Sequence, residues 1–219
     1  VSAGFAGSSI DTLSYSGYGA FQFGRRLSYV EDDASATGYR YLFAPVRAFS
    51  LGVQVRMVIN PSLTGSFRAV FGSGDPDASS ATDGNTEGDS TQFTPITRGS
   101  AGAVFSPLPG NVTFAEVGVS YRPFPTVRLG LLSVQASSKT LVFVKNGVGP
   151  VSEAGILPGA EAGLLGIEED LSANVRLLSD ATLNVSTGIY LPMPGAYDES
   201  YLETSPLQYS IRASLSLAL

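Results

Sequence analysis

The sequence predicts an all-β protein, an antiparallel transmembrane β-barrel of about 8 to 10 strands, and three observations lead there. First, apolar and polar residues alternate with a period of two over many segments, which assigns one set of side chains to each face of a strand. Second, the chain is apolar overall but nowhere continuously so. Of its 219 residues 43% are hydrophobic and 15% charged, and mean hydropathy is +0.17. Yet no uninterrupted apolar run reaches the ~18 residues that a spanning helix needs. The longest charge-free stretch, 99–115, is broken by Pro107, Pro109 and Gly110. Third, short turns alternate with long polar loops, as in transmembrane barrels, whereas a soluble sandwich has no reason for such asymmetry.

About nine segments carry the pattern. Val1 to Ser9 is the first candidate strand, and the aromatic-rich stretch Tyr15 to Tyr29 is the second, near an interfacial girdle. In the third, Leu51, Val53, Val55, Met57 and Ile59 alternate with Gly52, Gln54, Arg56 and Val58. Asn60-Pro61 turns the chain, and the return strand sets Leu63, Gly65, Phe67, Ala69 and Phe71 against Thr64, Ser66, Arg68 and Val70. A fifth strand opposes Ala115, Val117, Val119 and Tyr121 to Glu116, Gly118, Ser120 and Arg122; Pro123 to Pro125 closes its turn. In the sixth, Val127, Leu129 and Leu131 face outward while Arg128 and Gly130 face in.

The seventh sets Leu165, Ile167, Leu171, Ala173, Val175 and Leu177 against Glu168, Asp170, Ser172, Asn174 and Arg176. Ser179-Asp180 turns into the eighth, with Leu183, Val185, Ile189 and Leu191 opposed to Asn184, Ser186, Gly188 and Tyr190. The last strand alternates Tyr209, Ile211, Ala213, Leu215, Leu217 and Leu219 with Ser210, Arg212, Ser214 and Ser216. Long loops are expected at 31–38, 74–97, 138–160 and 193–206. The stretch from Thr97 to Ser106 is poorly patterned, and an error in the strand count is expected there or at the first strand. Residues 1–219 read as a single barrel domain, or as part of a larger barrel.

Composition narrows the function. There is no cysteine and no histidine, so neither a thiolate site, nor a His-rich zinc site, nor a Ser-His-Asp triad can be built. Lys139 and Lys145, the only lysines, both fall in an expected loop. Without a general base the chain is not expected to be an enzyme. A net charge of −6 and a pI near 4.6 argue against nucleic acid, which requires a basic face. Val1 to Ile10 carries neither the basic nor the apolar region of a leader, as expected of a processed chain.

The charges are placed unevenly. Arg56, Arg68, Arg122, Arg128, Arg176 and Arg212 occupy inward strand positions, with Glu116, Glu168 and Asp170 on the same face. Guanidinium groups in a polar lumen attract and select anions, and their planar fork suits carboxylates. Alternatively, the same arginines pair with those carboxylates and plug a narrow barrel. Asp75, Asp77, Asp83 and Asp89 crowd the loop from Ser73 to Asp89. They offer the hard oxygen ligands that calcium takes, or they simply keep a solvated loop in water. No other cofactor is expected.

The run Phe71-Gly-Ser-Gly-Asp-Pro-Asp77, followed by Asp83-Gly84 and Thr91-Gln-Phe-Thr-Pro95, resembles the strand-to-loop SGD motif of the alginate-export porin family. Gly166-Ile-Glu-Glu-Asp-Leu171, Leu177 to Leu183 and Gly188-Ile-Tyr-Leu-Pro192 are similar to that family's last hairpin, and Tyr121 to Leu129 to its preceding turn. The resemblance covers roughly Tyr15 to the end. It implies the C-terminal half of an outer-membrane channel barrel, in a Gram-negative-type bacterium, with arginines for polyuronate carboxylates. The expected function is therefore a porin conducting an anionic solute or polysaccharide among outer-membrane lipids. The alternative expectation is a non-conducting structural or adhesive barrel that works through its acidic loops on partner proteins or further copies of itself.

Overall fold

A computed structural model describes residues 1–9, 12–78, 80, 88–96, 101–124, 133–161, 163–176 and 181–217, with Glu31 described for its backbone alone. These residues form one nine-stranded antiparallel sheet in which spatial order equals sequence order. The strands are β1 (Ser2–Ser9), β2 (Leu13–Glu31), β3 (Tyr39–Asn60), β4 (Leu63–Gly72), β5 (Val112–Tyr121), β6 (Ser133–Lys145), β7 (Gly163–Arg176), β8 (Ala181–Pro192) and β9 (Gln208–Leu217). A short helix, α1 (Glu199–Thr204), lies between β8 and β9. Among the described residues no helix is long and apolar enough to cross a membrane.

The period-two pattern becomes two chemically distinct faces. Register carries one row from strand to strand through Gln54, Arg68, Glu116 and Leu141, and another through Gly118, Lys139, Asp170, Gly188 and Ser210. Those residues lie on the face onto which the loops fold, the covered face. Their sequence neighbours make the bare face, where Leu51, Val53, Met57, Phe67, Val117, Val119, Ile167, Leu171, Ile189, Ile211 and Leu215 are all exposed. Soluble monomers rarely expose a contiguous apolar surface of this kind.

Connections differ in length between the two ends of the sheet, with one exception to the predicted alternation. Residues 10–12, 61–62, 122–132 and 177–180 link strands at one end, and 32–38, 73–111, 146–162 and 193–207 link them at the other; 122–132 is the exception, being longer than 32–38. The Asn60 side chain accepts from the N–H groups of Ser62 and Leu63, which fixes the 61–62 turn. β2 and β3 stand well above their neighbours, because β4 ends with Gly72 opposite Ser50 while β3 begins at Tyr39. Part of that bared edge is paired by Ser90, which bonds Pro45 O at 2.7 Å and Arg47 N at 2.9 Å. Pro45 sits here without loss, since its missing N–H falls where no ladder donor is required.

Several expectations need correction. The third strand starts at Tyr39, well upstream of the alternation that begins at Leu51, because Pro45 and Arg47 interrupt the apolar alternation of its upper part. Lys139 and Lys145 are not in a loop: both lie in β6, which runs from Ser133 to Lys145 and shortens the expected 138–160 loop. The sixth strand read over 127–131, together with Leu177, the Ser179-Asp180 turn and Leu219, lies outside the described residues. Leu165 leaves the face of Ile167, because the register of β6 and β7 shifts between Phe143 and Val144 and skips it. One extra residue reverses side-chain parity beyond it, so Leu165 is fully buried. The described part of the poorly patterned stretch, 101–106, is not a strand.

That segment belongs to the covered face. A local core of Phe105, Val112, Phe114, Leu141, Phe143, Val151, Ile156, Leu165, Tyr190, Ala196 and Tyr197 gathers where the three longest loops meet β5 to β8. Phe105 stacks on Tyr190 with ring centroids 4.4 Å apart and meets Phe143 edge-on at 4.8 Å. Tyr190 and Tyr197 are buried, and their hydroxyls satisfy each other at 2.7 Å, as buried phenols require.

Candidate functional site on the covered face

The side chains singled out from the sequence share this face but do different things. Glu116 on β5 binds two cations: Arg68 Nη2 at 2.6 Å and Lys139 Nζ at 3.1 Å. β4 and β6 flank β5, and register sets Arg68 directly opposite Glu116 and Lys139 one row away, opposite Gly118. Arg68 also lies over the Phe114 ring, 5.0 Å from its centroid, and donates to Ala101 O at 3.3 Å. Its Nε is buried without a partner. Arg122 donates to the Gln135 side chain at 3.1 Å. Arg56 sits opposite Ser14 and Ser66 near the short-turn end, as Arg176 sits opposite Ser133 and Thr182. Arg128 lies outside the described residues.

Glu168 and Asp170 do not hold arginines as expected. The Glu168 carboxylate, fully buried, accepts from the backbone N–H of Val104 at 2.7 Å and of Phe105 at 2.8 Å. Asp170 accepts from Ala103 N–H at 3.1 Å. Ser210 and Arg212 on β9 donate to Ala103 O at 3.3 and 2.9 Å. Residues 101–105 therefore form a strap across the covered face, tied to β4 by Arg68, to β7 by two carboxylates and to β9 by Arg212. A carboxylate is the natural anchor, because it accepts several N–H groups at once and such charge-assisted bonds are about twice as strong as neutral ones.

Glycine makes room for the strap. A Cβ on Gly188 of β8 would meet Asp170 Oδ1 at 2.5 Å and Ala103 and Val104 at 3.0 Å, and one on Gly102 would collide with the Glu168 carboxylate. Beside the strap a cavity of about 810 Å³ opens toward β2, β3 and β4, with Tyr18, Gln54, Arg68, Phe93 and Phe114 in its wall. The strap was not foreseen. Its only advance sign is that Gly188 interrupts a strand opposite two carboxylates spaced by two, while an unpatterned, charge-free run has no strand to join.

The acidic loop resolves into separate tasks. Asp75 accepts from Thr91 N–H at 3.0 Å and Asp77 N–H at 3.4 Å, whereas Asp89 pairs with Arg47 at 3.0 Å. Asp83 lies outside the described residues, and among the described residues no group of three or more acidic side chains is placed to hold a metal ion. Burial, with the Asp77 carboxyl close by, raises the Asp75 carboxyl to about 6.

A lysine that the sequence placed in a loop proves structural. Lys145 Nζ is fully buried and donates to the carbonyls of Leu157, Pro158 and Ala160 at 2.7, 2.9 and 2.8 Å. It organises the 146–162 loop. No protein-family model matches this chain, and no curated protein matches it either.

Proposed function

We propose that this chain forms wall of an outer-membrane β-barrel and lines a passage for an anionic solute. The observation that carries the reading is the segregation of faces over nine consecutive strands: apolar and exposed on one side, polar with arginines on the other. In a bilayer the bare face meets lipid and the covered face meets water, and unequal loops at the two ends accompany that arrangement in known barrels. Arg56, Arg122, Arg176 and Arg212 then give the aqueous side its positive character, which favours carboxylated or phosphorylated solutes. The motif resemblance to alginate-export porins supports polyuronates among these.

The test is ion selectivity in planar bilayers. Arg56 and Arg122 do not fasten the strap, so Arg56→Gln with Arg122→Gln should lower the anion-to-cation permeability ratio severalfold while leaving membrane assembly intact. An unchanged reversal potential would remove the arginines from selectivity.

A second reading, a non-conducting barrel acting through its loops, is favoured by the apolar core that fills the covered face between β5 and β8. It predicts no conductance from correctly folded protein, and loss of partner binding when 193–207 is deleted.

A further inference from the structure

We propose that the strap, residues 101–105, is the size-limiting constriction of the passage, and that Glu168, Asp170 and Gly188 are the positioning residues that set it. The inference rests on the channel reading above and adds what the solute must squeeze past.

Three features support it. The strap does not rest on a loop end but is fastened to the middle of the covered face, from Arg68 on β4 to Arg212 on β9. It is fastened through its own backbone, five of its N–H and C=O groups being taken by side chains of the wall. A segment held this way is positioned by the wall, with Gly102 against the Glu168 carboxylate, Ala103 against Gly188, and Ala101 on the rim of the open space. Lastly, an open space of about 810 Å³ lies beside Ala101, toward β2 to β4, while Phe105 at the other end of the strap is packed into the apolar core. On the channel reading, a solute moving through that space passes the strap at Ala101, beside Arg68.

The strap can be displaced without altering any charge. Gly188→Val places a side chain where Ala103, Val104 and Asp170 now pack, and valine suits a strand. The pair Glu168→Gln and Asp170→Asn weakens the anchors by a second route, since a neutral amide accepts these N–H groups less strongly. The chain contains no cysteine, so a disulfide between Ser137→Cys and Ser172→Cys, whose hydroxyls are 2.6 Å apart, reports that β6 and β7 are assembled.

The experiment compares unit conductance and the passage of graded carboxylated oligosaccharides for wild type, Gly188→Val and the amide pair, each carrying the cross-link reporter. Displacing the strap is expected to raise unit conductance by about twofold or more and to admit larger anions, since conductance follows the narrowest section. Steps from the variants over a silent wild type would equally support the strap, as a complete closure. Correctly cross-linked variants with wild-type conductance and the wild-type size limit would overturn the strap and leave the channel reading standing. Silence from wild type and all variants would overturn both.

Discussion

At the residue scale, the charged side chains on the covered face are chiefly fasteners. Glu116 balances Arg68 and Lys139, Glu168 and Asp170 hold backbone N–H groups, and Lys145 caps three carbonyls. A buried charge is tolerable on such terms alone, because desolvation must be offset by several good hydrogen bonds. Asp75 supplies a pH-dependent case. Its carboxyl is raised from 3.8 to about 6, so the folded loop binds a proton more tightly than the unfolded chain does. Its stability contribution is then present at low pH and lost as pH rises through about 6. Protease resistance of the 73–111 loop should therefore be greater at pH 5 than at pH 7, and Asp75→Asn should flatten the difference. Greater resistance at pH 7 would contradict the assignment.

At the element scale, two long loops are anchored by strand side chains, 73–111 from strands it does not join in sequence and 146–162 from the strand just before it. The 73–111 loop is held from β7 and β9, and the 146–162 loop from the last residue of β6. Lys145→Met keeps most of the side chain's volume but removes all three donors. It should destabilise the 146–162 loop by about 1.5–3 kcal/mol, the worth of hydrogen bonds to a charged group. Hydrogen exchange would register this as faster exchange in that loop with β3 and β4 unchanged. Uniform acceleration over the whole sheet would instead make Lys145 a fold determinant.

At the scale of the whole molecule, the two ends of the sheet deserve comparison. β1 and β9 both run from the long-loop end toward the short-turn end, since eight antiparallel pairings separate them. A seam made directly between them would be parallel, as would one between copies of the chain inserted the same way. Both strands are also open on the covered-face side: Ser2, Gly4, Arg212, Ser214 and Ser216 are exposed. A narrow closed barrel would bury them, because side chains fill its interior. Unpaired backbone edges are not tolerated in lipid. On the proposed reading, then, if every pairing is antiparallel, an odd number of further strands separates β9 from β1. Cysteines at Ala6 and Ser214 should accordingly fail to cross-link in the membrane-assembled full-length polypeptide, while the Ser137 and Ser172 pair cross-links. A disulfide between Ala6→Cys and Ser214→Cys within one chain would show a direct seam.

Much of the sheet was legible in the primary structure, and for a physical reason: a strand between an apolar and a polar medium must alternate, so face and strand are encoded locally. The rows through Leu51 to Ile59, Leu63 to Phe71 and Ala115 to Tyr121 follow from that rule alone. It failed where both faces of a strand meet similar surroundings. The upper half of β6, Leu141 to Val144, is apolar on both sides because the loop core covers one of them. Leu165 was misplaced because a bulge reverses parity and leaves no mark in the pattern. The strap was hidden most completely, since its anchors, Arg68, Asp170 and Arg212, are distant in sequence and meet only when the register of six strands aligns them. Local alternation thus determined which side chains share a face, and tertiary structure alone decided which of them clasp a loop across it.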